Sequence, residues 1–325
     1  MDPKIRLNEL AQGYQHSVVL LTAVKVGVFD ALAGGPDTAA ALAQRLELDA
    51  RALEILLLAL VGEGLLELAD DRFALVADFA PLLVSDSPQT QANILKHNFA
   101  CMQQWVRLEE TLRTGRPAAD VFQEWTDETM RNFICGMADI SRTSSQEVAE
   151  KLDLSPWRRM LDLGGGPATA SIVFARRYPE LRSVVFDLEG PISIAREQIA
   201  QAGLSDRIET QVGDYFVDDF GDGYDLIYIS NIIHSMSPDE TRQIVAKAWQ
   251  ALEPGGAIII KEFFLDDTRT APLPAALFSI NMLAGTTGGK SYTFSETRRI
   301  LSDAGFKDFK TINVAAASAL LSGVK

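Results

Sequence analysis

Nine consecutive residues, Leu161–Thr169, constrain the fold of this 325-residue chain more than any other segment. Their sequence, LDLGGGPAT, is an apolar run that carries Asp162 and continues into Gly164, Gly165 and Gly166. Glycine adopts positive φ and has no Cβ atom, so a small molecule can lie against the backbone where a strand becomes a helix. The segment predicts either a ligand-binding turn of an α/β domain or a turn whose glycines only make it tight.

The next predicted strand ends in a carboxylate. The segment RSVVFDL reads as a buried strand that ends at Asp187, 23 residues after Gly164. A carboxylate at this place in a βαβ unit accepts both ribose hydroxyls of an adenosine-containing ligand. Asp187 therefore predicts a nucleotide-type cofactor, and a solvated strand-end carboxylate is the alternative.

The turn favours S-adenosylmethionine over a dinucleotide. A dinucleotide places its pyrophosphate on a helix N-terminus, usually beside a third spaced glycine. Here position 169 is Thr, and Pro167 interrupts the backbone amides. S-adenosylmethionine has no phosphate and carries a sulfonium and an ammonium, which the negative charge of Asp162 attracts. We therefore expect the methyl donor to be the cofactor.

Two further strands bring polar residues to the same edge of the predicted sheet. RIETQV leads into Asp214 and Tyr215, where an acid can bind the adenine amino group while an aromatic ring packs on adenine or simply on the core. YDLIYIS leads into Asn231 and His234, one of three histidines in the chain. A histidine near apolar residues is often structural, but its ordinary pKa of ~6.5 also suits a general base at neutral pH.

Five segments in this order, LDLGGG, VVFDL, GDYF, NIIHSMSPDE and ALEPGGAIIIKEFF, resemble the small-molecule O-methyltransferases. That family includes plant caffeate and flavonoid enzymes, acetylserotonin methyltransferase and bacterial antibiotic and pigment methyltransferases. The resemblance spans nearly the whole chain and implies the α/β class. It implies a Rossmann-like class I methyltransferase domain over residues 155–325, with a mostly parallel seven-stranded sheet and an antiparallel last strand. Residues 1–154 would form a mainly helical, winged-helix-like dimerisation domain.

The resemblance also implies a role for each matching residue. His234 matches the general base, and Glu262 matches the acid that orients it. Donor contacts are expected from Asp162, Gly164, Gly165, Gly166, Asp187, Leu188, Asp214, Tyr215 and Ser230. An acceptor pocket between the two domains is expected beside Trp105, Phe133, Met137, Asn231, Phe278 and Met282. These mainly apolar side chains suit a flat aromatic or polyketide-like acceptor, although such residues at helical spacing also form ordinary cores.

Two departures from the family pattern concern the base. Many members have His-Asp-Trp where this chain has His234, Ser235 and Met236, and a second acid often stands where this chain has Ser291. An imidazolium without a second carboxylate is less stabilised, which a more acidic phenol would tolerate best. A family member that binds the donor but catalyses hydroxylation or decarboxylation is therefore a second hypothesis.

A regulator that binds DNA and senses S-adenosylmethionine is a third hypothesis, because residues 38–67, followed by residues 71–76, resemble a winged helix-turn-helix. Residues 36–70 contain two basic residues and seven acidic ones, and the chain has a net charge of −14. Such a charge opposes binding to nucleic acid phosphates and to anionic membranes. We expect a small-molecule partner and no nucleic acid or membrane partner.

The remaining features predict an ordinary cytoplasmic protein. No apolar run of 18 residues and no signal-peptide pattern is present. Cys101 and Cys135 have no CxxC spacing and no evident histidine partner, so we expect two small buried side chains and no metal site. An amphipathic helix is predicted over residues 10–32. This helix and the helices that follow it are predicted to form the contact surface of a homodimer. The candidate contact residues are Val18, Leu21, Leu56 and Leu60.

Overall fold

A computed structural model describes residues 1–118, 127–314 and 318–325. Their backbone divides into two compact units, Met1–Met102 and Gln103–Lys325. The sequence predicts that the catalytic domain begins at residue 155. The division of the backbone after Met102 does not test this boundary, which stays a prediction. Within the described ranges, every helix is too short or too polar to cross a bilayer.

The first unit is mainly helical. Its elements are α1 (Pro3–Gln12), α2 (Tyr14–Lys25), α3 (Val28–Leu32), α4 (Ala39–Leu46), α5 (Ala50–Gly62), β1 (Leu66–Ala69), β2 (Arg72–Leu75), α6 (Ala80–Leu83) and α7 (Ala92–Trp105). Strands β1 and β2 pair antiparallel, with Leu66 opposite Leu75. Helices α4 and α5 followed by this hairpin match the winged-helix pattern that the sequence predicts.

The prediction of one amphipathic helix over residues 10–32 was wrong in detail. Helix α1 ends at Gln12, and Gly27 has a φ of +80°, which divides α2 from α3. A positive φ cannot continue an α-helix, so this glycine ends the predicted run. Leu21 and Leu60 are buried within the chain, whereas Val18 and Leu56 are half-buried.

The second unit alternates strands and helices after two initial helices. Its elements are α8 (Leu108–Thr114), α9 (Asp127–Lys151), β3 (Arg159–Leu163), α10 (Thr169–Arg177), β4 (Arg182–Asp187), α11 (Glu189–Gln201), β5 (Ile208–Val212), β6 (Tyr224–Ser230), a 3₁₀ turn (Ile233–Ser235), α12 (Pro238–Ala251), β7 (Leu252–Glu262), α13 (Leu273–Gly285), α14 (Phe294–Asp303), β8 (Lys307–Asn313) and β9 (Ala319–Val324).

These strands form a seven-stranded sheet in the order β5-β4-β3-β6-β7-β9-β8. The first five run parallel, and β9 runs antiparallel to both of its neighbours. The mostly parallel sheet with an antiparallel last strand is therefore confirmed. The order reverses on the two sides of β3, and open α/β sheets bind ligands outside the carboxyl ends of the strands at such a point.

Alternate residues of β6 and β7 belong to two different cores. Ile227 and Ile260 pack on the sheet face that α12 and α14 also cover. Tyr228 and Ile259 pack on the opposite face, which α9 and α10 cover. Successive residues at a strand end consequently point to opposite sides of the sheet.

Two helix starts are fixed by side-chain caps close to the carboxyl edge of the sheet. The Ser237 hydroxyl accepts the N–H of Glu240, and the Glu240 carboxylate accepts the N–H of Ser237. Thr293 and Glu296 form the same capping box at the start of α14. Each N-cap of this kind contributes about 1 kcal/mol, and the first one holds the segment that follows His234.

Candidate active site

The glycine turn closes the end of β3 against β4. Gly164 has a φ of +67°, and its N–H donates to the carbonyl oxygen of Phe186 at 2.8 Å. A Cβ atom on Gly165 would lie 2.7 Å from the carboxyl carbon of Asp162, so only glycine fits there. Gly166 also has a positive φ, of +53°. The turn that the sequence singles out therefore needs its glycines for backbone conformation and for close packing.

Asp162 lies directly beneath this turn. Its side chain is buried, and its Oδ2 accepts a hydrogen bond from the Ser171 hydroxyl at 2.7 Å. Burial raises the pKa of Asp162 to about 6, and the Ser171 bond opposes that rise. The carboxylate therefore supports the turn from below and places a negative charge beside the surface that a ligand would occupy.

Asp187 is held in one orientation at the end of β4. Its Oδ2 accepts the N–H of Gly166 and its Oδ1 accepts the N–H of Leu188, each at 2.8 Å. Burial raises the pKa of Asp187, and these two bonds oppose the rise. Each carboxylate oxygen still has a lone pair for a further donor, so both can accept hydroxyl groups such as those of a ribose.

Exposed apolar side chains follow β4 and β5. Leu188 is 54 % exposed and Phe216 is 42 % exposed. The Tyr215 ring meets the Phe216 ring edge-on, with 4.7 Å between ring centroids, and also packs against the core of the sheet. Asp214 Oδ1 accepts the N–H of Phe216 at 2.8 Å. These residues offer an apolar surface with an adjacent carboxylate, which suits an adenine ring.

His234 and Glu262 meet although 28 positions separate them in the chain. His234 Nδ1 lies 2.7 Å from Glu262 Oε2, and the backbone N–H groups of His234 and Phe263 also donate to this carboxylate, each at 3.3 Å. Glu262 is 2 % exposed and His234 is 14 % exposed, measured on the side chains. Adjacent parallel strands β6 and β7 bring the two residues together at one edge of the sheet.

An aromatic wall stands beside the imidazole. The Phe278 ring meets the His234 ring edge-on, with 4.8 Å between centroids, and the Phe263 ring lies 4.5 Å from the Phe278 ring. Within the second unit, Trp105 Nε1–H donates to Asn281 Oδ1 on α13 at 2.8 Å. This wall could receive a flat aromatic molecule.

The remaining residues that were predicted to bind the acceptor or the donor lie on α9, on α13 and at the end of β6. Met282 is buried on α13, and Phe133 and Met137 are half-buried, one turn apart on α9. Ser230 ends β6 and is half-buried. Asn231 follows it with a φ of +57°, and its buried Oδ1 has no hydrogen-bond partner among the described residues. A buried acceptor left unpaired at the carboxyl edge of the sheet is open to a ligand donor.

Ser291 does not act toward the imidazole. Its hydroxyl donates to the carbonyl oxygen of Ala275 at 2.8 Å, and its N–H donates to the Ser279 hydroxyl at 3.2 Å. The place of a second acid is therefore filled by a serine that joins its loop to α13. In the described part of the chain, Glu262 is the carboxylate that contacts His234.

Several neighbours were not predicted from the sequence. Phe263, Asn281 and Ser171 belong to the wall or support the turn, and no local pattern distinguishes them from core residues. The expectation that Cys101 has no histidine partner was wrong, because its sulfur lies 3.3 Å from His97 Nε2, one helical turn away on α7. The four-residue spacing on a helix was the signal that could have found this pair.

Comparison with known sequences places the chain in one family. The family model of the O-methyltransferase domain matches residues 105–307, and that of the O-methyltransferase dimerisation domain matches residues 8–78. The 3-hydroxy-5-methyl-1-naphthoate 3-O-methyltransferase of Streptomyces sahachiroi is 35 % identical over 98 % of this chain and 94 % of its own length. Acetylserotonin O-methyltransferase of Bos taurus is 30 % identical over 94 % of this chain and 92 % of its own length.

Solved structures give the same result. Human N-acetylserotonin methyltransferase in complex with S-adenosylmethionine superposes with a TM-score of 0.90 at 28 % identity, over 100 % of this chain and 98 % of that one. PigF with S-adenosylhomocysteine superposes with a TM-score of 0.91 at 25 % identity, over the whole of both chains. The glycine turn, the fixed Asp187 carboxylate and the apolar surface beside it fit such a donor. This chain belongs to the O-methyltransferase family and is an S-adenosylmethionine-dependent methyltransferase.

Proposed function

We propose that the enzyme transfers a methyl group to the hydroxyl of a small aromatic or polyketide-like compound, with His234 as general base. S-adenosylmethionine supplies an activated methyl group, and S-adenosylhomocysteine is the product that remains. The observation that carries the proposal is the His234–Glu262 contact of 2.7 Å beside the aromatic wall. An acceptor on that wall would place its hydroxyl within reach of the imidazole.

The hydrogen bonds of Glu262 support the assignment of Nε2 as the basic imidazole nitrogen. Two backbone N–H groups donate to this carboxylate, so it is an acceptor in each of these contacts. The proton between it and the ring is then on His234 Nδ1, which leaves the lone pair of Nε2 free to take a proton. Glu262 also stabilises the imidazolium that forms, as a carboxylate does behind a catalytic histidine.

Glu262 is therefore a positioning residue, and most of the rate is expected from holding two reactants in line. We propose that Asp187 and Leu188 bind the ribose, that Asp214 and Tyr215 bind adenine, and that the glycine turn and Ser230 line the methionine end. Asp162 supports this site through its charge and its hydrogen bond with Ser171.

Aromatic side chains and the names of relatives support the acceptor class. The wall presents Phe263 and Phe278 beside His234. We propose that Trp105, Met282, Phe133, Met137 and Asn231 complete the acceptor pocket. The relative from Streptomyces sahachiroi acts on a hydroxynaphthoate, and another from Streptomyces glaucescens, 29 % identical, is an 8-O-methyl transferase of tetracenomycin polyketide synthesis. A phenol on a fused aromatic ring is the acceptor that these features favour.

The test is transfer of an isotope-labelled methyl group from S-adenosylmethionine to a panel of naphthols, hydroxynaphthoates, catechols and hydroxyquinones. His234→Ala should keep donor binding, measured by calorimetry, and lose about 10²- to 10⁴-fold in turnover, the usual contribution of a general base. A matched control is His16→Ala, because His16 forms an exposed pair of similar length with Glu63, 2.6 Å. Equal turnover in wild type and His234→Ala would refute the assignment of the base.

We also propose that the enzyme is a homodimer through its N-terminal unit. The chain carries the family's dimerisation domain. Large apolar side chains are exposed on α1 and α5, among them Leu7 at 66 %, Leu10 at 63 % and Ile55 at 56 %. Exposed apolar patches of this kind mark interaction surfaces. Light scattering should give twice the chain mass for wild type and the monomer mass for Leu10→Asp, and a monomeric wild type would contradict the proposal.

A further inference from the structure

A row of polar side chains crosses the sheet face that α9 and α10 cover. Asp162 on β3 pairs in register with Tyr228 on β6, and Ser230 on β6 pairs in register with Lys261 on β7. Met160, Tyr228 and Ile259 pack on this face, so the residues two positions further along each strand, Asp162, Ser230 and Lys261, share it. The row has an acid at one end and a base at the other, with two hydroxyls between them.

Lys261 is an unusual member of this row. The residue is 2 % exposed, and its ammonium forms no hydrogen bond or ion pair with the residues that the structure describes. Burial lowers the pKa of Lys261, while the negative charges of Glu262 and Glu147 oppose that change. A buried cation without a contacting anion is costly, so this position favours a negatively charged ligand group.

A second polar group of the row is also without a partner. The Tyr228 hydroxyl is buried, lies near the Ser230 hydroxyl, and has no hydrogen-bond partner of good geometry in the described part of the chain. Adjacent strands are about 4.8 Å apart and residues rise about 3.3 Å along a strand, so Asp162 and Lys261, two strands and two residues apart, stand about 12 Å from each other across β6. The short side chain of Asp162 and the long side chain of Lys261 can therefore both approach the space above Ser230.

We propose that Lys261 binds the α-carboxylate of the methionine end of S-adenosylmethionine, while Asp162 faces its α-ammonium. The inference rests on the proposed placement of the donor over the glycine turn and Ser230. The two charges of the row match those of a zwitterionic amino acid. The Asp162 carboxylate would attract its α-ammonium, and the Lys261 ammonium would attract its α-carboxylate. Ser230 and Tyr228 lie between the two charges and offer hydroxyls to the same group.

An acceptor could also carry a carboxylate, but the acceptor and Lys261 are expected on opposite faces of the sheet. Glu262 is the next residue of β7 and points to the opposite face, where it contacts His234. An acceptor hydroxyl must approach His234, so an acceptor carboxylate is expected on the side of Glu262. The donor is the ligand whose charged end belongs on the side of Lys261.

The test compares two donors by calorimetry without any acceptor. Wild type should bind S-adenosylmethionine about 10- to 100-fold more tightly than decarboxylated S-adenosylmethionine, the worth of one charge-assisted hydrogen bond. Lys261→Met should bind S-adenosylmethionine more weakly by the same factor and should no longer distinguish the two donors. Lys261→Arg keeps the charge and should keep part of the discrimination.

Lys307→Met is the matched control, because Lys307 is exposed on β8 and should bind both donors as wild type does. Lys261→Met replaces an unpaired buried charge with an apolar chain of similar length, so we expect it to fold, and thermal unfolding checks this. Full discrimination between the donors in Lys261→Met would overturn the proposal. So would unchanged donor binding with a raised KM for hydroxynaphthoates but not for naphthols. Failure of His234 as the base would leave this comparison unaffected, because no methyl transfer is measured.

Discussion

Replacement of Glu262 by glutamine tests how the base is oriented. The backbone N–H groups of His234 and Phe263 donate to this carboxylate, and His234 Nδ1, to which we assign the ring proton, lies 2.7 Å from it. A glutamine has one acceptor oxygen and one NH₂ group, so it cannot accept from both sides. If its oxygen faces the ring, its NH₂ meets a backbone N–H. If its NH₂ faces the ring, it donates to Nδ1 and forces the proton onto Nε2, which then cannot act as a base.

The expected loss follows from these contacts. A hydrogen bond to a charged group contributes about 1.5–3 kcal/mol, and the imidazolium formed in the transition state loses that much stabilisation. This corresponds to about a 10- to 150-fold lower kcat, and the wrong imidazole tautomer lowers it further toward ~10⁴-fold. Donor affinity should change far less than kcat, because Lys261, the proposed donor residue next to Glu262 in β7, points to the opposite face of the sheet.

The assay is single-turnover transfer of labelled methyl at saturating donor, with donor binding measured separately by calorimetry. Glu262→Asp is the companion variant, because it keeps the charge and shortens the side chain. It should retain more activity than Glu262→Gln if charge matters most. A turnover of Glu262→Gln within twofold of wild type, with intact folding, would refute the role of this carboxylate.

Three more variants probe the turn and the base. Burial raises the pKa of Asp162 to about 6, above its ordinary value, so its ionised form is costly in the fold. Asp162→Asn should raise the Tm by a few degrees at pH 8, and this gain should vanish as the pH falls from 6 to 4. It should also weaken donor binding at neutral pH in calorimetry. Gly165→Ala should abolish donor binding because its Cβ would clash with two side chains, whereas Gly62→Ala, whose Cβ meets nothing within 4 Å, should bind normally. Ser291→Ala should lower the free energy of unfolding by about 1 kcal/mol in a urea titration and leave kcat within twofold, because its hydroxyl bonds α13 and not the imidazole.

Much of this site could be predicted because its chemistry lies at strand ends. The glycine turn, Asp187, Asp214 and His234 each follow a recognisable strand, and parallel strands bring their carboxyl ends to one edge. The strand patterns therefore also predict that residues distant in the chain lie close together at this edge. The family resemblance added Glu262, which strand patterning alone does not distinguish from other strand-end acids.

Other features depend on side-chain direction, which a local pattern does not determine. Ser291 occupies the place of a second acid, yet its hydroxyl bonds the carbonyl of Ala275. Lys261 and Glu262 are neighbours in sequence but point to opposite faces of the sheet, so their environments differ. Asn231 adopts a positive φ that places its side-chain oxygen among buried atoms without a partner among the described residues. Each of these arises from tertiary packing of elements that the sequence shows only one at a time.

The most direct test of this mechanism is a crystal structure of the enzyme with S-adenosylhomocysteine and an acceptor that the labelling panel identifies. We predict that the acceptor hydroxyl lies about 2.6–3.2 Å from His234 Nε2, on the aromatic wall and facing the donor sulfur. We also predict that Glu262 keeps its contact with Nδ1. An acceptor hydroxyl held by another side chain, with His234 Nε2 turned away from it, would contradict the central claim.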